Sequence, residues 1–135
     1  MNFIDRAFEN NLKGDDFLQA MADVYSEPEV REILDKYPQF VKDVILIIDY
    51  DYEIQMEGLD NVIYGCFGEQ LPEILQAMDN CGAINEADVL RQAKTMSQKE
   101  YDEKYDTLCD KLAIHNDYEG FWDLVRNYID MSLKK

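Results

Sequence analysis

Signals that start and stop helices recur along most of this chain, and they divide it into segments of roughly ten to twenty residues, the usual length of globular helices. Ser26-Glu27-Pro28-Glu29 offers a Ser N-cap, an early Pro and a Glu three residues on. Ser97-Gln98-Lys99-Glu100 repeats the capping box, and Asn116-Asp117-Tyr118-Glu119 is a similar start. Cys81-Gly82 closes a segment as a C′ glycine does, and Asn85-Glu86-Ala87-Asp88 opens the next with acids in its first turn. Between these marks apolar residues fall at three- and four-residue spacing, as in Phe17, Leu18, Met21, Val24, Tyr25 and again in Phe121, Leu124, Val125, Tyr128, Ile129. With 3 Pro, 6 Gly and no Asn-Gly or Asp-Gly dipeptide, nothing marks hairpins. The expectation is an all-α, compact single domain of about seven helices spanning residues 1–135, with Met1 to about Lys13 a loosely attached first helix.

One stretch contests this. Val44-Ile45-Leu46-Ile47-Ile48 is a β-rich run that periodicity alone cannot separate from a buried helix. Its continuation favours helix. At 100° per residue Val41, Val44, Ile45, Ile48, Tyr52, Leu59 and Ile63 gather on one side, while Asp49, Glu53, Glu57 and Asp60 span about 80° of the adjoining side. One amphipathic helix, broken near Gly58, accounts for both sets.

Hydrophobic residues make up 47% of the chain and charged residues 31%, a globular composition that places the acidity on a folded surface and not in a disordered tail. Thirteen Lys and Arg against 29 Asp and Glu give a net charge of −16, which repels nucleic acid and anionic membranes and attracts cationic partners. The start lacks the basic flank and apolar stretch of a signal peptide, so a cytoplasmic protein without a membrane anchor is expected. Three cysteines, Cys66, Cys81 and Cys109, have no Cys-x-x-Cys spacing and suggest neither a disulfide framework nor a zinc site.

The charges are unevenly placed. After Lys42 no base occurs until Arg91, so residues 43–90 carry eleven acids and a local charge of −11. Asp49/Glu53 and Glu53/Glu57 are like-charge i,i+4 pairs, each costing a helix a few tenths of a kcal/mol, so stability does not account for them. Four residues of helix rise about 6 Å, roughly the spacing of successive phosphates along a strand, and a row of Asp49, Glu53 and Glu57 would therefore imitate a DNA backbone to a protein built to neutralise phosphates. The plainer alternative is a solvated acidic face that keeps the chain soluble.

Ala77-Met78-Asp79-Asn80-Cys81-Gly82-Ala83, followed by Glu86-Ala87-Asp88-Val89-Leu90 and Ala93, resembles the helix, Gly-Ala turn and helix of a bacterial family of acidic DNA-mimic proteins of the DMP type. Upstream, residues 54–64 sit where that family has its glycine-containing segment. Downstream, Tyr101, Tyr105, Leu108 and Leu112 resemble its later helix, and Tyr118 to Ile129 its closing one, so that the likeness covers roughly residues 44–130. It departs at Met56-Glu57-Gly58-Leu59, where the family usually shows Asn-Gly-Gly and an aromatic residue. The resemblance implies an all-helical fold whose acidic surface occupies the DNA-binding face of a helix-turn-helix transcription regulator. It brings no catalytic residue, metal ligand or cofactor.

Asp49-Tyr50-Asp51 after an apolar run is similar to the nucleophile loop of haloacid-dehalogenase-type phosphatases, but Glu53-Ile54 replaces the expected Thr or Val pair and no later Lys or Gly-Asp loop follows. Asp49, Asp51 and Glu53 also begin like a calcium loop, yet Ile54 stands where the glycine belongs. His115, the one histidine, falls near the end of the helix begun at Ser97 and suits a capping role; Trp122 belongs to the apolar period of the last helix. The expected function is an acidic partner-binding protein without catalysis, with Asp49, Glu53, Glu57 and Asp60 as the central row and Asp43, Asp51, Glu69, Glu73 and Asp79 as contributors. Its partner would be a basic DNA-binding protein or, alternatively, a basic toxin inhibited in the manner of an immunity protein; a small metal-dependent enzyme is the third reading.

Overall fold

The computed structural model describes residues 1–134, and every regular element among them is helical. The α-helices are α1 (Phe3–Glu9), α2 (Gly14–Met21), α3 (Gln39–Met56), α4 (Leu59–Ile63), α5 (Leu71–Cys81), α6 (Ile84–Thr95), α7 (Gln98–Lys111), α8 (Ala113–Asn116) and α9 (Tyr118–Leu133), with 3-10 segments at Ala22–Tyr25, Pro28–Lys36 and Cys66–Gln70. Seven of the α-helices have seven or more residues. No helix among the described residues is long and apolar enough to cross a membrane.

The axis of the molecule is α3, which packs mainly on α5 and also against α2, α4 and α9. Val41, Val44, Ile45, Ile47 and Tyr50 are fully buried, and Phe40, Leu46 and Ile54 nearly so. A helix enclosed on all sides must be apolar on all sides, which is why its core reads equally well as a buried strand. The expected two-faced helix is therefore corrected: α3 is amphipathic only beyond Tyr50, where Tyr52, Gln55 and Met56 reach solvent. The first helix is packed in. Phe3, Ile4 and Ala7 are buried in the same hydrophobic core as α3, and Asn2 closes a capping box with Asp5, so the loose attachment expected of this segment does not hold.

Other ends follow their local chemistry. Ser97 accepts from the Glu100 N–H, and Asp117, rather than Asn116, caps α9 by accepting from Gly120 N–H; Asn116 instead donates to the Asp110 carbonyl. Ser26 caps nothing, because its N–H closes the preceding 3-10 turn on Asp23, and the next segment starts at Pro28 without a side-chain cap. Gly82 adopts φ +87°, with Ala83 N–H returning to the Met78 carbonyl, the left-handed closure that a glycine permits. At the end of α3 the N–H groups of Glu57 and Gly58 both donate to the Glu53 carbonyl, and Gly58 at φ +83° redirects the chain into α4.

Three carboxylates lie inside this apolar frame, and two of them, Asp43 and Glu86, are held by neutral donors alone. Asp43, 1% exposed, accepts from Gln39 Nε2 (3.0 Å), Asn80 Nδ2 (3.0 Å) and Tyr128 Oη (2.5 Å), so one side chain joins α3, α5 and α9. Glu86, 2% exposed, accepts from Tyr50 Oη (2.9 Å) and from the Ala113 and Ile114 N–H groups at 2.7 and 3.2 Å, which fastens α6 to α3 and to the start of α8. Burial pushes the Glu86 carboxyl up from its ordinary 4.5, and these donors pull against that rise.

Replacing Asp43 by Ala removes the shared acceptor of Gln39, Asn80 and the half-buried Tyr128 and leaves a small void in the core, and should cost about 1–3 kcal/mol in urea unfolding. For Glu86 the folded state holds the proton more tightly than the unfolded chain, so its contribution to stability declines as pH rises from 4.5 through the raised folded value. The stability gap between the natural chain and Glu86→Gln should accordingly narrow as pH increases through that window; a gap that widens would contradict the direction.

Candidate partner-binding surface

The eleven acids of residues 43–90 meet very different fates, because pairing is decided in space and the missing cations come from outside the window. Asp49 is 7% exposed and lies in a fork: Arg31 donates Nη1 to Oδ2 at 2.5 Å and Nη2 to Oδ1 at 2.8 Å, and Tyr25 Oη donates to Oδ1 at 2.7 Å. Arg31 belongs to the Pro28–Lys36 segment, which this pair pins to α3. Burial, together with the Asp49 hydrogen bond and charge, pushes the Tyr25 hydroxyl far above its ordinary value, while Asp49 raises Arg31. Glu73 faces Lys42 at 3.5 Å, and Asp79 and Asp88 share Arg91. Asp43 and Glu86, like Asp49, are buried in the frame.

The expected row of Asp49, Glu53, Glu57 and Asp60 is thus not one continuous surface. Asp49 is inside and neutralised by Arg31, Asp43 is inside, and α3 ends at Met56, before Glu57 and Asp60. Asp51 lies about 200° around α3 from Glu53, on the opposite flank. What α3 and α4 do present is Glu53, Glu57 and Asp60, with Glu69 exposed on the 3-10 segment packed against α4.

Two of these outer carboxylates, and Asp51 on the other flank, are fixed by neutral donors. Asn61 Nδ2 donates to Glu53 at 2.7 Å, Tyr101 Oη to Asp60 at 2.6 Å and, on the other flank, Tyr118 Oη to Asp51 at 2.8 Å. An amide or hydroxyl orients a carboxylate without cancelling its charge, which remains available to an external cation. Among the described residues no cation of the chain pairs with Glu53, Glu57 or Asp60.

Tyr101 brings α7 up to this edge, and α7 carries two further exposed acids, Asp106 and Asp110, that the sequence pattern did not single out. Burial raises the Tyr105 hydroxyl and the half-buried Cys109 thiol, and the charges of Asp60 and Asp106 act on both, with Asp110 adding to Cys109. Lys99, Lys104 and Lys111 make α7 look balanced along the chain, but Lys104 reaches Glu100 at 3.5 Å and leaves Asp106 and Asp110 without a partner among the described residues. The edge therefore consists of Glu53, Glu57 and Asp60 and borders α7, which carries Asp106 and Asp110.

The enzyme-like motifs find no matching geometry. Val44 to Ile48 is helical, Asp49 is held by Arg31, and Asp51 and Glu53 point to opposite flanks. Among the described residues no group of three or more His, Cys, Asp or Glu could hold a metal ion. His115 Nδ1 lies 3.1 Å from the Cys109 carbonyl, where an N–H caps the end of α7, and Trp122 is buried edge-on against Phe121 at 5.5 Å.

Replacing Arg31 by Met should cost about 2–4 kcal/mol in thermal unfolding, since it leaves Asp49 nearly buried and uncompensated; adding Asp49→Leu should return much of the loss. Equal destabilisation of the single and double variants would show that the ion pair does not anchor this segment.

The family model for DMP19-like proteins matches residues 35–131, from just before α3 to the last turns of α9. That span contains the Gly58 break, the Gly82 turn and every acid of the edge. Comparison with curated proteins and with solved structures gives no match. The chain belongs to the DMP19-like protein family.

Proposed function

We propose that this chain is an acidic binding protein of DNA-mimic type, which occupies the DNA-binding surface of a basic protein such as a helix-turn-helix transcription regulator. One observation carries the reading: Glu53 and Asp60 are held in place by an amide and a hydroxyl, beside Glu57, with no cation of the chain spent on them. Phosphates on DNA share both properties, being fixed in position and fully charged. Membership of the DMP19-like family and a net charge of −16 support it further. Glu73 and Asp79, though equally acidic in sequence, carry their own bases and contribute little to such a surface. Glu69 stands at its margin, and Asp51 lies on the opposite flank of α3.

The test is competition. Added to a helix-turn-helix regulator bound to labelled operator duplex, the chain should release the DNA, and its own affinity should fall by about ten-fold or more between about 50 mM and about 200 mM salt. A ternary complex with DNA, or affinity indifferent to salt, would defeat the proposal. Replacing Glu53, Glu57 and Asp60 by Gln, Gln and Asn should weaken binding by about ten-fold or more, whereas Glu73→Gln with Asp79→Asn should change it less than about three-fold.

A further inference from the structure

Beside the acidic edge lies an aromatic one. Tyr25 and Tyr52 stack with ring centroids 5.3 Å apart and planes tilted by 35°, yet they are 46% and 51% exposed; Met56, one turn beyond Tyr52 on the same face of α3, is 65% exposed. The two rings and Glu53 line a recess of about 250 Å³ completed by Phe67 and Gln70, at whose base Arg31 meets Asp49. The fold gains little from leaving this apolar area in water, and large exposed aromatics beside fixed charges are typical of contact surfaces.

The chain itself illustrates what such a surface accepts. The Arg31 guanidinium lies 5.6 Å from the Tyr25 ring centre and forks onto Asp49, an aromatic face and a carboxylate acting together. The same two elements recur further out, where the half-exposed Tyr52 ring and Glu53 line the same recess, and there no cation of the described residues stacks on the ring or pairs with the carboxylate. A guanidinium is planar, weakly hydrated and able to stack while donating to a carboxylate; an ammonium is a compact, strongly hydrated point charge that gains less from a ring.

We propose that Tyr52 and Glu53, flanked by Tyr25 and Met56, form a seat for an arginine side chain of the protein partner, its guanidinium stacked on the Tyr52 ring and donating to Glu53. This rests on the acidic-surface reading above and adds the identity of the contacting side chain, together with a contribution to binding that salt does not screen. Arginines of DNA-binding surfaces are suited to it, since they already serve planar, two-pronged contacts to phosphate and guanine.

The probes are a poly-arginine and a poly-lysine peptide of equal length, titrated into the full chain by fluorescence anisotropy at low and raised salt. The arginine peptide should bind about five-fold tighter, and the preference should persist as salt rises. Tyr52→Ala should abolish that preference and Tyr52→Phe retain it, because the Tyr52 hydroxyl enters no hydrogen bond among the described residues; far-UV circular dichroism checks that each variant is folded. Equal affinities for the two peptides, or a preference unchanged in Tyr52→Ala, would overturn the seat while leaving the acidic edge standing. Failure of both peptides to bind at low salt would overturn the seat and the acidic-surface reading together.

Discussion

Enclosing α3 on every side obliges the rest of the molecule to satisfy whatever polar groups that helix carries. It carries three in its buried turns, and each is answered by a different part of the chain. Asp43 draws Asn80 of α5 and Tyr128 of α9, Asp49 draws Arg31 from the Pro28–Lys36 segment, and the Tyr50 hydroxyl finds Glu86 of α6, which in turn receives the first N–H groups of α8. Apolar contact alone tolerates small slips between helices, whereas a carboxylate with three donors has one arrangement that satisfies it. The position of most elements relative to α3 is therefore specified by polar geometry inside an apolar core.

This division of labour sets apart two populations of acid that look alike in composition. Inner carboxylates hold the fold, with a guanidinium or with neutral donors; outer carboxylates at the α3 and α4 junction are oriented by Asn61 and Tyr101 and stay charged. Orientation lowers the conformational entropy that a flexible Glu or Asp would lose on meeting a partner. The same tyrosines also bury part of their rings, as Tyr101 does against Tyr64 and Tyr105, so the scaffolding of the acidic edge doubles as core packing.

Much of the fold was legible in the chain because caps and apolar spacing act locally. Gly82, Ser97 and the period of α9 needed only neighbours within a turn or two. The surface was less legible. A charge count along the chain places Asp49 in a base-free region, but its partner Arg31 lies 18 residues upstream in another segment. Asp43 reads as a surface acid until Asn80 and Tyr128, distant in sequence, are brought to it. Conversely, Asp106 and Asp110 are masked in a charge count by the lysines of α7, of which Lys104 is taken by Glu100. Burial of all but Lys42 and Ile48 in the Phe40–Tyr50 stretch also erased the periodicity by which the outward face of α3 could have been identified.

The turn at Gly58 gives this arrangement a freedom that a single helix would lack. Glu53 is carried by α3, which the core immobilises, and is reached from α4 by Asn61, whereas Asp60 rides on the short α4 itself and accepts from Tyr101. Substitutions in α4 or along that face of α7 can shift one charge against the others without touching the buried network. Recognition can in this way diverge among related chains, each adjusted to a different spacing of cations, while the requirements for folding stay the same.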